Sequence, residues 1–255
     1  MKGFDGNKTL LPLVSAKSNY DGRCPILLEV LGNLPSQETA IVINHKKEDV
    51  IKTTRGIDIT YIEQPELNGT GGALLAARPF IAEQGCEQVI ITMGDVPFVK
   101  KTTYVSLVNN LKEKRLVVLG FRPEIKKQYG VLEVEGDIVK RIIEWKYWER
   151  YSKKRQKSFQ ICNSGIYAIR KDDLLHFLLV LASRPHKVRK EINGKMKELE
   201  EFFITDLIEY MNSDGLPVGY VIAEDEEEVM GIDDFPALVR AREIYRNKFS
   251  VDIHN

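Results

Sequence analysis

Short apolar runs alternate with helix-patterned segments along most of the first half of the chain. Pro25 to Leu31 has a helical spacing closed by Gly32 and Pro35 as stop signals. Thr39 to Asn44 reads as a strand, Lys46 to Thr53 as a short helix, and Ile57 to Ile62 as another strand. A glycine-bearing loop from Gln64 to Gly72 leads to a helix predicted from Ala73 to Glu83. Val89, Ile90 and Ile91 are β-branched, as expected of a parallel strand covered on both faces. Gly94, Asp95 and Pro97 then end that strand with a carboxylate at its carboxyl end, where open α/β sheets bind ligands. Thr102 to Lys114 is predicted as a helix with Thr102 or Thr103 as N-cap, and Leu116 to Phe121 as a buried strand. This alternation predicts an α/β fold with a mostly parallel sheet and helical crossovers on both faces.

The pattern changes after Phe121. Gly130 to Glu135 and Ile138 to Ile143 flank a Gly136-Asp137 turn, which predicts an added β-hairpin. Trp145 to Lys157 mixes basic and aromatic residues and reads as a solvated flap or helix at the sheet edge. Gln160 to Ile169 is a strand interrupted by Asn163 and Gly165, the mark of a bulge or of a close approach to the backbone. A helix follows from Lys171 through Leu181, and the basic stretch Arg184 to Lys197 reads as a mobile connection. Phe202 to Met211 is an amphipathic helix, Val218 to Ala223 a last strand, Glu224 to Glu228 an acidic turn, and Pro236 to Phe249 a closing helix. The first residues, Met1 to Lys8, are loop-like, and no strand precedes Leu10 to Val14. Without repeats or low-complexity tracts, the 255 residues read as one domain.

Composition narrows the function classes. Thirty-seven basic and thirty-seven acidic residues give no overall attraction to nucleic acid or anionic lipid. The basic-aromatic stretch from Trp145 to Lys157 is too isolated to indicate nucleic-acid binding. Cys24, Cys86 and Cys162 are far apart and the four histidines are scattered, which argues against a disulfide framework or a zinc site. No apolar run reaches the roughly 18 residues of a membrane span, and the N-terminus lacks a signal-peptide layout. The expected setting is reducing and cytoplasmic.

Three features could carry chemistry, and each has a plainer reading. Asp95 is either a turn residue or an active-centre carboxylate. Asp233 could join it to hold one Mg²⁺, or Asp233 and Asp234 could simply cap the last helix. The Gly69-Thr70-Gly71-Gly72 run before a helix could present backbone N–H groups to a phosphate or base edge, or serve only as a turn.

Taken in order, the motifs resemble those of the sugar-phosphate nucleotidyltransferases, and are most similar to the pyrophosphorylase domain of bacterial N-acetylglucosamine-1-phosphate uridylyltransferases. The matching pieces are Gln64 with Asn68-Gly-Thr-Gly71, Gly94-Asp-Val-Pro97, Tyr129-Gly130, Ile142-Ile-Glu144 with Lys146, Asn163-Ser-Gly165, Phe203-Ile-Thr-Asp206 and Val229-Met-Gly-Ile-Asp233. The resemblance implies a Rossmann-like, GT-A-like domain that joins a nucleoside triphosphate to a sugar 1-phosphate and releases pyrophosphate. Residues 1–121 would form the nucleotide half and 122–255 the sugar half. Gln64, Gly69 and Thr70 would contact the nucleobase. Gly130, Glu144 and Asn163 would hold the sugar, with Thr205 near it. Asp95 and Asp233 would bind Mg²⁺, and Lys8 would neutralise phosphate charge. The plainer readings are that Gln64 satisfies a loop, Glu144 pairs with Lys146 or Arg141, Asn163 accommodates a bulge and Lys8 is a surface charge.

Departures from the family pattern carry their own expectations. The family opens with a strand and a Gly-x-Gly-Thr-Arg-Met loop, whereas here Met1 stands where the loop's methionine falls. The expectation is a start further upstream, to be checked in the reading frame before Met1, and poor catalysis by the chain as written. Met93 replaces the family's aromatic residue before Gly-Asp, Asp233 replaces an asparagine of the nearest relatives, and Ser15 to Arg23 lengthens a loop near the phosphates. These changes leave the uridine and N-acetylglucosamine preferences open. The chain ends without a hexapeptide-repeat acetyltransferase domain, so no acetyl transfer is expected. A cytidylyl or guanylyl transferase is the alternative within enzymes, and a non-catalytic nucleotide-sugar-binding regulator the alternative outside them. The place of 145–157 between Glu144 and Asn163 suits a lid.

Overall fold

The computed structural model describes residues 4–35, 38–192 and 195–249, so Met1 and its suggested place in a phosphate loop lie outside them. A short 3₁₀ turn, Lys8–Leu10, is capped by the Asn7 side chain, which accepts from Thr9 N. It leads into β1 (Pro12–Ser15) and β2 (Gly22–Pro25), an antiparallel hairpin where a lengthened loop was expected. The hairpin forms because Leu11 and Leu13 are buried against Leu238, Ala241 and Tyr245 near the C-terminus. Then come α1 (Ile26–Asn33), β3 (Ala40–Ile43), α2 (Lys47–Thr53) and β4 (Thr60–Glu63), with β3 and β4 paired in parallel.

The next elements are α3 (Thr70–Glu83), β5 (Gln88–Ile91), α4 (Lys101–Asn110), β6 (Leu116–Phe121), β7 (Val131–Glu135) and β8 (Ile138–Ile143). After α5 (Trp145–Trp148) and α6 (Lys153–Ser158), β9 (Cys162–Arg170) re-enters the sheet and α7 (Lys171–Ala182) leaves it. The chain finishes with β10 (His186–Ile192), β11 (Lys195–Glu201), α8 (Asp206–Ser213), β12 (Val218–Ile222) and α9 (Phe235–Phe249).

The α/β class is as expected, and so is the added β7–β8 hairpin, with Gly136 at φ +60° in its turn. The central sheet runs β12-β6-β9-β7-β8, with β5 also paired to β9. β6 and β12 are parallel, while β9 is antiparallel to both β5 and β6, so β5, β6 and β12 share one direction. The reversal follows from the hairpin. After β7 and β8 the chain returns beside the end it left, with Cys162 opposite Phe121, and β9 must run back down.

Alternate residues of the central strands feed opposite cores. Leu116, Val118, Tyr167 and Ile169 pack toward α3, α7 and α8, whereas Val117, Leu119, Ile166 and Ala168 pack toward α4. All six residues of β6 are buried, and each large aliphatic side chain so placed contributes about 1.5–3 kcal/mol. β5 differs from its expectation. It pairs antiparallel and its apolar residues are only half-buried, because among the described residues one edge of the strand has no partner.

Other boundaries move for identifiable reasons. β4 is shorter and later than 57–62. α3 takes Gly71 and Gly72 into its first turn. The cap of α4 is Lys100, and Thr103 is inside the helix, where its hydroxyl bonds buried Glu228. The stretch expected to be a mobile connection is the β10–β11 hairpin, in which Arg189 lies opposite Glu198 and Val188 opposite Leu199. Opposite charges and apolar residues across the strands supply the pairing that reading the stretch from its basic residues alone overlooks. α8 begins only at Asp206, because Phe202 to Thr205 is drawn onto the loop before α3.

Candidate functional site

Three charged residues far apart in the chain meet just beyond β5. Lys8 Nζ lies 2.5 Å from Asp95 Oδ2 and 2.6 Å from Asp233 Oδ1. The segment carrying Asp233 is held by Ile232 N, which donates to the Asp95 carbonyl at 3.0 Å. Asp234 is the helix cap, its Oδ1 accepting from Ala237 N at 2.8 Å, which leaves Asp233 to face Lys8. Burial acts against the Lys8 charge, but Asp95 and Asp233 outweigh it and hold the ammonium above the usual lysine range. The two carboxylates thus converge on one cationic centre. That donor set fits Mg²⁺, which takes one or two protein carboxylates and fills its remaining positions with water and phosphate oxygens. Among the described residues, no group of three or more His, Cys, Asp and Glu offers an all-protein metal cage.

The glycine loop is clasped by the chain itself. Gln64 is buried, and its Nε2 donates to Asn68 Oδ1 at 2.9 Å and to the Gly69 carbonyl at 3.2 Å. Phe202 N donates to the Asn68 carbonyl at 2.8 Å, Gly71 N donates to the Phe202 carbonyl at 2.9 Å, and Ile204 N donates to Thr70 Oγ1 at 3.3 Å. A Cβ on Gly69, whose φ is +95°, would come within 2.3 Å of the Phe202 oxygen. At least one backbone N–H that the sequence pattern offered to a ligand, that of Gly71, is therefore used internally.

A second cluster forms where β7, β8 and β9 meet. Asn163 N donates to the Gly130 carbonyl at 2.8 Å, and a Cβ on Gly130 would stand 3.5 Å from Glu144 Oε2. Glu144 is the residue before α5, and Trp148 of that helix donates through Nε1 to the Tyr129 carbonyl at 2.8 Å. Arg141 pairs with Glu133 at 2.7 Å rather than with Glu144. Burial raises the Glu144 pKa, Lys146 opposes that shift, and Asp206 adds to it. Thr205 precedes α8 without capping it by its side chain, and the adjacent Asp206 pairs with His186 at 2.7 Å.

The clusters are neighbours. A Cβ on Gly165 would be 3.2 Å from Met93 Cε, which places the residue two before Asp95 against the Asn163 turn. The Tyr129 hydroxyl pKa is raised by burial and then by the Asp233 charge, so the residue before Gly130 senses the charged corner. The structure therefore gathers Lys8, Asp95 and Asp233 in one group and Gly130, Glu144 and Asn163 in another. Gln64, Gly69 and Thr70 form a third, tied through Phe202–Ile204 to the segment bearing Thr205. Sequence reasoning missed Tyr167, whose hydroxyl lies 2.8 Å from Asn163 Nδ2. The available signal was its place four residues along the same strand, on the same face by the period of two.

A mixed α/β sheet with carboxylates gathered beyond a strand end is an arrangement that places ligands at the carboxyl ends of strands. The chain belongs to the family of MobA-like NTP transferase domains, whose model matches residues 1–156. It is 29% identical over 212 residues to the bifunctional protein GlmU of Caldicellulosiruptor saccharolyticus, covering 82% of this chain and 42% of that one. It is 32% identical over 230 residues to the bifunctional protein GlmU of Rhodopseudomonas palustris, covering 88% of this chain and 47% of that one. The chain thus spans less than half the length of these relatives. Its fold is shared with the uridine diphosphate N-acetylglucosamine pyrophosphorylase of Trypanosoma brucei, at a TM-score of 0.61 and 12% identity over 79% of this chain and 52% of that one.

Proposed function

We propose that this chain joins a nucleoside triphosphate to a sugar 1-phosphate with release of pyrophosphate, UTP and N-acetylglucosamine 1-phosphate being the preferred pair. The observation that carries this reading is the Lys8 bridge between Asp95 and Asp233, set beside the polar cluster of Gly130, Glu144 and Asn163. In it, Asp95 and Asp233 hold Mg²⁺, which when bound offsets the charge of the reacting phosphates. Lys8 shares that work by turning its ammonium toward the phosphate oxygens. With its Nε2 committed to the loop, Gln64 presents its amide oxygen, an acceptor, to the nucleobase beside Gly69 and Thr70. Gly130, Glu144 and Asn163 grip the sugar, with Thr205 at its margin. Such a transfer needs two anions placed in line and their charge offset, more than it needs a protein nucleophile. The choice of sugar and base draws on the name of the Trypanosoma brucei relative in fold and on the family resemblance.

The test is a pyrophosphate-release screen crossing four nucleoside triphosphates with a panel of sugar 1-phosphates. Turnover with one pair supports the reading, and UTP with N-acetylglucosamine 1-phosphate is expected to be fastest. If no pair reacts while a nucleotide sugar still binds, the enzyme reading fails and a binding regulator takes its place.

A further inference from the structure

We infer that Tyr167 is a positioning residue that fixes which atom of Asn163 faces the sugar phosphate, and so makes the pocket select a hydrogen-bond acceptor on the sugar. The inference rests on the proposed role of Asn163 and adds the polarity of what it recognises. A primary amide carries two N–H donors and an oxygen with two acceptor positions. Gly165 N lies 3.0 Å from Asn163 Oδ1, and because a backbone N–H can only donate, the oxygen end of the amide is identified by its partner. Nδ2 is then the atom 2.8 Å from the Tyr167 hydroxyl, which accepts one of its hydrogens. The same hydroxyl lies 3.2 Å from Oδ1 and returns its own proton there.

The anchor is rigid. Tyr167 is fully buried in β9, so its ring cannot follow a rotating amide. Asn163 N is tied to the Gly130 carbonyl at 2.8 Å, and Gly165 sits at φ +80°, a conformation that side chains rarely adopt. With Oδ1 and one N–H spoken for, half-buried Asn163 retains one N–H for a ligand. The matching group on the sugar is an oxygen acceptor, a hydroxyl or an acyl carbonyl. A protonated amine has donors only and is disfavoured at that position.

Tyr167→Phe keeps the ring and removes the hydroxyl. The expected result is a KM for N-acetylglucosamine 1-phosphate raised about fivefold to tenfold, with kcat and the KM for UTP little changed. In an Asn163→Ala background the same substitution is expected to add nothing, since it acts through that amide. Asn163→Asp, which replaces the donor by a second acceptor, is expected to shift the kcat/KM ratio toward glucosamine 1-phosphate over its N-acetylated form. An unaltered sugar KM in Tyr167→Phe, an equal effect in both backgrounds, or an unmoved ratio in Asn163→Asp overturns the inference. Should Tyr167→Phe fail to fold, wild-type protein labelled with ¹⁵N-asparagine decides. One of the two Asn163 side-chain protons is expected to shift on adding N-acetylglucosamine 1-phosphate, and a shift of neither overturns the inference. Absence of turnover by wild-type protein with every pair strikes the proposed function instead, and the labelled spectra still report on the amide.

Discussion

The charged corner around Lys8 and the polar corner around Glu144 are assembled by opposite means. Lys8, Asp95 and Asp233 arrive from distant parts of the chain and are joined by ion pairs, with the Asp233 side chain 79% exposed and that of Lys8 42% exposed. Gly130 and Glu144 flank the β7–β8 hairpin, Asn163 lies in β9, and all three are set by sheet register, backbone hydrogen bonds and buried neighbours. The difference teaches where stability and activity separate. An exposed ion pair such as Lys8–Asp233 contributes little to folding, about 0–1 kcal/mol, and an isosteric change at the more buried Asp95 keeps its volume, so the first corner can be altered without unfolding the protein. The second corner belongs to the sheet, and changes there act on both.

The sharpest way to break this contrast is Asp95→Asn. Under the proposed function kcat is expected to fall by about 10²–10³-fold, while the urea midpoint moves little. A large loss of stability would show that the charged corner is structural after all. Gly69→Ala is expected to act the other way round. Its added carbon would stand 2.3 Å from the Phe202 oxygen at a φ of +95°, and urea denaturation should register a loss of about 1–3 kcal/mol. Unchanged stability would refute the clasp.

A smaller effect is expected at Glu144. Although its surface is exposed to solvent, partial desolvation by its surroundings raises its pKa in the folded protein, so the folded state binds the proton somewhat more tightly than the unfolded chain does. Stability from this group is therefore present below the ordinary carboxyl value of 4.5 and declines as pH rises through the raised one. Glu144→Gln should gain stability relative to wild type at neutral pH and lose that advantage in acid, as pH-dependent denaturation would reveal. Smallest is a labelling difference among thiols. Cys162, at the start of β9, is buried and its pKa is pushed up to about 11, so it should react with thiol reagents more slowly than Cys24 and Cys86. Equal rates, followed by mass spectrometry, would show that β9 opens more readily than its packing suggests.

Much of this was legible before the structure. The unbroken apolar run Leu116 to Phe121, the Gly136-Asp137 turn and the helix after Lys171 depend on local patterning, and they stand where the chain places them. The convergence of Asp95 and Asp233 was legible only through motif order, since nothing local connects residues so far apart. The direction of β9 was not legible, because it depends on which end of the sheet the chain re-enters after the hairpin. Nor was the partner of Gly69, since a glycine required by a passing backbone and one required by a ligand look alike in a sequence. Asp234 shows the reverse. Its role as helix cap was one of two open readings, and the bond from Ala237 N separates it from its neighbour Asp233.

Under the proposed function, the clasp of Phe202 on Gly69 and Gly71 bears on any attempt to change the base preference by transplanting a loop. The shape of residues 64–72 is recorded partly in a strap more than a hundred positions away, where three hydrogen bonds close on it. A graft of the loop alone would arrive without its mould. Recombination that exchanges the loop together with residues 202–204 keeps donor and acceptor rows matched, so the two segments have to move together.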